Sequence, residues 1–404
     1  LEGHFEKVFL GHRISGNLSL PRRIATTYLN AAVYPIHREF FEAVNNSLIR
    51  KGLKVPIRIL KADGGNMNFE ASIDYPAQTT LSGPAASVMG SIAFGPEKGD
   101  ALVMDIGGTT TDMAILVDQV PLLAPQGIEL GGFKTLIRSL ETHSIGIGGD
   151  SAVRIENGRI QVGPHRNGPA MAHGGPSPTP TDALVLLGKA RKGSRELAAR
   201  GFAPIAEQLG VTIEDAAFQV FDHTCRQILR AAEEMVERIN RQPVYTIHEM
   251  QDGYQVRPTT ILVLGGPAPL FAEHLETLSH YKVGVVPRWT VANAIGAALA
   301  RTTCEVNLYA DTEQQIATAP EENFTTRVDR SFDQAQARQM ALDLLQKKAV
   351  ARGANPAHLE MEVTEELQFN MVRGFHTTGR NIRIRAQVQP GLIYGYDPVA
   401  GRLM

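Results

Sequence analysis

The chain contains few of the residues that mark an oxidising compartment, a zinc cluster or a membrane protein. Its 404 residues include only two cysteines, Cys225 and Cys304, which are too few for a disulfide framework. This usage is typical of a reducing compartment. No apolar stretch approaches the roughly 20 residues that a membrane helix needs. The chain has 40 basic and 42 acidic residues, so its net charge gives no reason to expect nucleic acid or an anionic membrane as a partner. We expect a cytoplasmic globular protein.

The most informative segment is a glycine turn between two apolar strands, Ala101–Met104 and Met113–Val117. Glycines let the backbone approach an anion closely, and the exposed amides of such a turn form a nest for phosphate. The candidate phosphate contacts are Gly107, Gly108, Thr109 and Thr110. Asp105 and Asp112 flank the turn and would repel a bare phosphate, but their oxygens suit a divalent cation. A plain hairpin with a convenient glycine pair is the alternative.

Two further glycine-rich elements are candidates for the same ligand. The first lies in Gly146–Ser151, and its candidate contacts are Gly148, Gly149 and Ser151. The second follows the apolar strand Thr260–Leu264, and its candidate contacts are Gly265, Gly266 and Pro267. Ligands of α/β folds bind where strands end and helices begin. Ordinary turns that need glycine are the alternative in both cases. The chain contains neither a P-loop nor a dinucleotide-binding fingerprint.

The order of these motifs resembles the superfamily of actin, sugar kinases and heat-shock chaperone ATPases. Within it, one run of motifs resembles the hydantoinase/oxoprolinase A family over about Pro21 to Arg301. The run comprises SGPAAS at 82–87, MDIGGTTTD at 104–112, GIGGDS at 146–151, VGP at 162–164 and PTPTDALVLLG at 178–188. The resemblance implies an α/β fold with ribonuclease H-like, actin-type ATPase lobes. At the C-terminal end, Ile382, Ile384 and Ala386 alternate with arginines. This alternation predicts a half-exposed antiparallel strand, and we expect it to belong to a small α+β appendage.

The resemblance also implies an activity, which is ATP-dependent opening of a cyclic amide of the hydantoin or 5-oxoproline type. Phosphoryl transfer from ATP would activate the substrate, and water would then open the ring. The hairpin would cradle the phosphates, Asp105 and Asp112 would hold Mg²⁺, and the loop at 146–151 would close over the phosphates. Gly265, Gly266 and Pro267 would flank the adenosine. A second, B-type subunit is implied, and the chain could also form a homo-oligomer.

Two other functions remain open for the same motifs. One is an ATP-dependent ketone carboxylase subunit, in which a ketone replaces the cyclic amide. The other is a non-catalytic, actin-like nucleotide-binding protein whose domains close or assemble on nucleotide.

Histidines near the glycine-rich region are candidates for acid–base chemistry. His173 is the best candidate for a general base, because an imidazole can exchange a proton near neutral pH. A solvated loop histidine is the more ordinary interpretation of His173, His143 and His165. Their spacing matches no zinc signature. Asp182 opens a helix, so we expect it to contribute to the helix N-terminus instead of acting as a base.

The motifs predict three domains. Residues 1–95 would form part of a first lobe with its linking helices, 96–305 the second lobe with the phosphate and adenosine motifs, and 306–404 the small α+β domain. The first residues resemble neither a signal peptide nor a start at methionine, so we expect the first lobe to be truncated. Family members carry an earlier Asp-Gly-Gly-Thr hairpin, whereas the nearest sequence here is Asp63–Asn66.

One long helical pattern stands out ahead of these motifs. It begins at Pro21, and its apolar residues recur at three- and four-residue steps. This spacing predicts a buried stripe, formed by Leu29, Val33, Ile36, Phe40, Val44 and Leu48.

Overall fold

The computed structural model describes residues 3–53, 55–124, 126–241 and 255–396. The chain forms two compact units, each built from separate stretches of sequence. The first unit comprises Leu1–Ala85, Leu123–Leu140 and Leu299–Gly395, and the second comprises Ala86–Leu122, Glu141–Ala298 and Tyr396–Met404. The predicted division into three domains stays a prediction. The compact units group residues 299–395 with the first 85 residues.

The described residues contain both helices and strands throughout. The helices are α1 (Gly11–Ile14), α2 (Leu20–Arg50), α3 (Phe69–Asp74), α4 (Ser82–Ile92), α5 (Pro180–Leu186), α6 (Arg195–Leu209), α7 (Ile213–Asn240), α8 (Ala268–Leu278), α9 (Ala292–Leu299) and α10 (Gln334–Ala351). The strands are β1 (Arg58–Leu60), β2 (Asn66–Asn68), β3 (Asp100–Ile106), β4 (Thr111–Val117), β5 (Val120–Pro121), β6 (Glu129–Leu130), β7 (Phe133–Lys134), β8 (Thr142–Ile145), β9 (Val153–Glu156), β10 (Arg159–Val162), β11 (Thr260–Leu264), β12 (Lys282–Val285), β13 (Glu305–Asp311), β14 (Ile316–Ala319), β15 (Phe324–Arg327), β16 (Met361–Arg373) and β17 (His376–Val388). Short 3₁₀ turns lie at Pro76–Thr79, Met171–His173, Pro320–Glu322 and Pro356–His358.

A six-stranded mixed sheet organises the second unit. Its order is β12-β11-β3-β4-β5, and β8 also pairs with β4. Strand β11 runs parallel to both β12 and β3, whereas β4 runs antiparallel to β3. Because β3 and β11 are parallel neighbours, their carboxyl ends meet at one edge of the sheet, with Leu264 opposite Asp105. This arrangement confirms the predicted α/β class and places two of the glycine motifs side by side.

Helix α7 supplies the apolar cover of this sheet. It packs against α5, α6 and α8, and its core-facing residues include Ala217, Phe221, Ile228 and Met235 at helical spacing. Full burial of a side chain such as Phe221 stabilises the fold by roughly 2–3 kcal/mol. The helix begins where the hydroxyl oxygen of Thr212 accepts a hydrogen bond from the Asp215 amide.

Small residues let two helices of the second unit approach closely. A Cβ on Gly90 of α4 would collide with the carbonyl of Ala292 in α9, and one on Gly296 would collide with the carbonyl of Ala86. Glycine is therefore required at both positions.

The first unit is built around a five-stranded antiparallel sheet with the order β15-β14-β13-β17-β16. Helix α10 packs against β13, β16 and β17. Ile382, Ile384 and Ala386 of β17 are buried in this core, so the predicted alternation is confirmed.

The prediction of a buried apolar stripe along helix α2 is wrong. The helix is continuous from Leu20 to Arg50, but Ile36 is 74% exposed and Phe40 is 59% exposed. Its buried face carries Asn30 and His37 instead, and their side chains bind the carbonyl of Asp74 and the hydroxyl of Ser72. Polar contacts with the following segment thus set the orientation of the helix, which a hydrophobic count does not detect.

Candidate functional site

The turn between β3 and β4 presents uncommitted backbone donors. The strands pair Ile106 with Thr111, and the Gly107 amide closes the turn on the Thr110 carbonyl at 2.9 Å. The amides of Gly108, Thr109 and Thr110 donate to no group within the described part of the chain. Three such donors on one tight turn form the kind of nest that binds phosphate oxygens.

Two carboxylates lie beside this turn on the same face of the hairpin. Asp105 and Asp112 are directly opposite each other in the β3–β4 ladder, so their side chains point to one side. The hydroxyl of Ser87 donates to Asp105 Oδ2 at 2.5 Å. Burial raises the pKa of Asp105, the Ser87 hydrogen bond opposes this, and the Asp112 charge raises the pKa further. Two crowded carboxylates of this kind favour a cation between them.

The end of β11 adjoins the same carboxylates. Gly265 has a φ of +96°, and a Cβ placed there would lie 2.5 Å from Asp105 Oδ1 and would also collide with the Ile106 carbonyl. Gly266 has open space in the corresponding direction. Helix α8 begins at Ala268, directly after Pro267. Glycine at 265 thus allows the two strand ends to meet.

The loop at 146–151 is fastened to the back of the turn by its backbone. The Gly149 amide donates to the Gly107 carbonyl at 2.9 Å, and the Asp150 amide donates to the Gly108 carbonyl at 2.6 Å. A Cβ on Gly148 would lie 2.6 Å from the Gly107 carbonyl oxygen. Ser151 is fully buried, and its hydroxyl accepts from the Gly148 amide at 2.8 Å. These groups are engaged within the protein, so the loop supports the turn from behind.

A charged network next to the turn was not assigned a role from the sequence. The guanidinium of Arg166 donates to Thr109 Oγ1 at 2.8 Å and to Asp150 Oδ2 at 2.9 Å. Asp150 also accepts from the hydroxyl of Thr181 at 3.3 Å. The Asp150 carboxylate therefore holds Arg166 against the β3–β4 turn. A sequence signal for this network is the position of Asp150 inside the GIGGDS motif.

The acid–base candidates divide into structural and exposed residues. Asp182 is fully buried and accepts from the amides of Met171, Ala172 and Thr179, so it belongs to the helix N-terminus as expected. His173 is exposed at the end of its 3₁₀ turn, and no hydrogen bond among the described residues joins it to the hairpin. Burial and the nearby Arg238 charge lower the pKa of His143 in β8.

The carboxylate pair suits a divalent cation that also binds phosphate. No group of three or more His, Cys, Asp or Glu side chains among the described residues forms a metal site. Mg²⁺, however, is usually held by one or two carboxylates together with water and substrate phosphates. Asp105 and Asp112, next to three free amides, provide that donor set. None of the helices in the described part of the chain combines the length and apolar character that a membrane crossing requires.

Comparison with known proteins identifies relatives across most of the chain. An uncharacterized protein of Methanocaldococcus jannaschii is 25% identical over 321 residues, which are 72% of this chain and 45% of that protein. The alpha subunit of caprolactamase from Pseudomonas jessenii is 24% identical over 296 residues, which are 69% of this chain and 40% of the subunit. The chain spans about half the length of the curated relatives that it matches.

Solved structures share the fold. A structure of ATP-dependent caprolactamase from Pseudomonas jessenii gives a TM-score of 0.65 at 18% identity, covering 95% of this chain and 60% of that one. A nucleotide-free structure of acetone carboxylase gives a TM-score of 0.66 at 17% identity, with coverages of 96% and 60%. The profile of the hydantoinase/oxoprolinase family matches residues 23–306. Since this match spans well over half of the 404 residues, the chain belongs to the hydantoinase/oxoprolinase family.

Proposed function

We propose that the chain is part of an ATP-dependent hydrolase that opens a cyclic amide of the hydantoin or 5-oxoproline type. The observation that carries this proposal is the β3–β4 turn, where three uncommitted amides adjoin the opposed Asp105 and Asp112. Such a site binds a polyphosphate together with a divalent cation, as phosphoryl transfer requires. A caprolactamase among the relatives supports a cyclic amide as the acceptor.

Each element of the site has a distinct role in this proposal. The amides of Gly108, Thr109 and Thr110 hold the phosphate oxygens, and Asp105 and Asp112 hold Mg²⁺. When bound, the metal ion neutralises charge that develops on the phosphates during transfer. The segment 265–267 borders the nucleoside, and the loop at 146–151 keeps the turn rigid from behind.

The chemical steps follow from amide reactivity. The amide oxygen attacks the terminal phosphorus of ATP, the bond from that phosphorus to the bridging oxygen breaks, and ADP leaves. A first water then adds to the activated carbon, the ring C–N bond breaks as the nitrogen takes up a proton, and an acyl phosphate remains. A second water hydrolyses the acyl phosphate to the carboxylate and free phosphate. We propose His173 as the base that takes the proton from the first water. The caprolactamase relative is named as a subunit, which supports a second subunit as the source of further active-site residues.

A ketone carboxylase is the second candidate, because the fold likeness to acetone carboxylase is as extensive as that to caprolactamase. Both candidates use the same phosphate site and differ in the acceptor. The full-length protein with its partner subunit should therefore be assayed for ATP hydrolysis with 5-oxoproline, hydantoin, or acetone plus bicarbonate. The proposal expects stimulation by a cyclic amide. Stimulation by acetone plus bicarbonate, but by neither cyclic amide, would favour the carboxylase. A change of assembly state on nucleotide, without stimulation by any acceptor, would favour the non-catalytic alternative.

The site itself is tested by a matched pair of substitutions in one hairpin. Asp105→Asn keeps the size of the side chain but removes its charge, and we expect ATP turnover to fall roughly 10²–10³-fold. Asp118→Asn changes an exposed residue at the far end of β4 and should leave turnover unchanged. Equal activity of both variants would remove Asp105 from the mechanism. The substitution His173→Gln tests the base separately, through the rate of ring opening.

A further inference from the structure

A small charged cavity lies inside the first unit, apart from the phosphate site of the second unit. Its volume is about 40 Å³, which is room for about three water-sized groups. Its charged and nucleophilic lining consists of Lys61, Asp63, Arg138, Cys304, Lys348 and Arg352, together with Glu305 and Glu321. These residues come from distant parts of the sequence, so the cavity exists only in the folded chain.

The Asp63 carboxylate that lines the cavity is already satisfied by the protein. Asp63 Oδ1 accepts from the Gly65 amide at 3.0 Å. Asp63 Oδ2 accepts from the Lys61 ammonium at 3.0 Å and from the Thr303 hydroxyl at 2.8 Å. Although burial alone would raise it, the charges of Lys61 and Arg138 hold the pKa of Asp63 at about 2. Asp63 is therefore ionised and fully engaged.

The ammonium of Lys348, which also lines the cavity, is neutralised by carboxylates. It pairs with Glu321 at 3.4 Å and with Glu322, and it donates to the Glu305 carbonyl at 2.8 Å. Glu321 in turn accepts from the Gly16 amide. Lys348 therefore needs no further counter-charge.

Two guanidinium groups that line the cavity have hydrogen-bonding capacity that the protein leaves unused. Arg138 donates from Nη2 to the Val388 carbonyl at 3.4 Å, but its buried Nε and Nη1 have no hydrogen-bond partner, and Nε lies 3.6 Å from Asp63. Arg352 is 7% exposed, and its guanidinium carbon lies 4.8 Å from the centre of the Tyr75 ring. Within the described residues, no hydrogen bond or ion pair engages the Arg352 side chain.

The crowding of these cations is apparent at Lys61. Burial, together with the charges of Arg352 and Arg138, lowers the pKa of Lys61 to about 8 despite its pairing with Asp63. The amide oxygen of Gln78, which also lines the cavity, is buried without a partner. Buried donors and acceptors are satisfied in the great majority of native proteins. The cavity therefore has the polar groups of a binding site.

We propose that this cavity binds a small carboxylate-type oxyanion between Arg138 and Arg352. Guanidinium groups match planar carboxylates in geometry and charge, and the volume suits an anion of three or four heavy atoms. The ligand would be either a free anion such as bicarbonate or the carboxylate group of a larger molecule. This site lies wholly within the first unit and is independent of the ATP-dependent activity proposed above.

Binding is tested on the full-length protein by calorimetry and thermal unfolding with sodium formate, acetate, bicarbonate, succinate and phosphate. Sodium chloride at matched ionic strength serves as the reference. We expect the planar anions to bind and to raise the unfolding temperature above that in chloride. Binding of formate, acetate and bicarbonate without succinate identifies a free small anion, whereas equal binding of succinate identifies a carboxylate group on a larger ligand. No binding beyond chloride, or tighter binding of phosphate, would overturn the proposal.

Substitutions locate the site. Arg352→Gln should weaken anion binding about tenfold or more, because a charged hydrogen-bond donor is lost. Arg138→Gln is a second variant with the same expected loss, in case the first does not fold. Arg58→Gln is the control, since Arg58 does not line the cavity and its guanidinium donates to the Thr302 hydroxyl and the Gly353 carbonyl. Wild-type affinity in a folded Arg352→Gln or Arg138→Gln variant would refute the assignment.

Discussion

A substitution at Gly265 tests whether the end of β11 must fit tightly against the β3–β4 hairpin. The substitution Gly265→Ala adds one methyl group at a backbone φ of +96°. That methyl carbon would lie 2.5 Å from Asp105 Oδ1, and ordinary contact begins at 3.4 Å. Asp105, or the strand that carries it, would therefore have to move by about 0.9 Å.

Two costs determine the expected loss of stability. A left-handed backbone costs an alanine roughly 1–2 kcal/mol. Overpacking of a close contact typically costs a further ~1–3 kcal/mol. We expect the free energy of unfolding to fall by about 2–5 kcal/mol. A displacement near 1 Å at a reacting group can also reduce catalysis by about 10²-fold.

The adjacent glycine provides the matched control. A Cβ on Gly266 meets nothing within 4 Å, so Gly266→Ala should change stability by less than about 1 kcal/mol. Chemical denaturation and ATP turnover should be measured on both variants in the full-length protein. If Gly265→Ala is as stable and as active as Gly266→Ala, the close approach of β11 to Asp105 is refuted.

Three further predictions concern single polar contacts. Ser87→Ala removes the hydrogen bond that lowers the pKa of Asp105, so the acidic limb of the pH–rate profile should move to higher pH. If the acidic limb does not move, the ionisation of Asp105 does not control the rate. Asp63 has a pKa of about 2 in place of 3.8, so its contribution of about 2 kcal/mol is present above pH 3.8 and is lost as pH falls towards 2. Acid titrations should show this loss in the wild type and not in Asp63→Asn. Asp182→Ala leaves several buried amides without an acceptor and should cost about 2–4 kcal/mol, measured by denaturant unfolding; a loss below about 1 kcal/mol would contradict its capping role.

The sequence predicts the β3–β4 hairpin well because that signal is local. Two apolar runs around Gly107 and Gly108 define the strands, and the antiparallel ladder then places Asp105 opposite Asp112 without further information. The motif order also predicted the α/β class and the family.

Features that depend on distant segments were not predictable in the same way. The exposed apolar residues of α2, such as Ile36, have helical spacing, but polar contacts of Asn30 and His37 determine which face is buried. The cavity of the first unit joins Arg138 with Arg352, which are far apart in sequence. The unused hydrogen-bond donors of the two guanidinium groups are visible only once the neighbours are placed.

The loop at 146–151 shows a second feature that the sequence alone does not resolve. The sequence predicts that its glycines contact phosphate directly, and that role stays a prediction. The amides of Gly149 and Asp150 are occupied by carbonyls of the hairpin. A glycine-rich sequence cannot distinguish an amide that faces a ligand from one that fastens two loops together.

The central claim is that the β3–β4 turn holds the phosphates of ATP. The most direct test is a structure of the full-length protein with Mg²⁺ and a non-hydrolysable ATP analogue. We predict phosphate oxygens within hydrogen-bond distance of the Gly108 and Thr109 amides, with the metal ion beside Asp105 and Asp112. An analogue bound with its phosphates away from this turn would contradict the account.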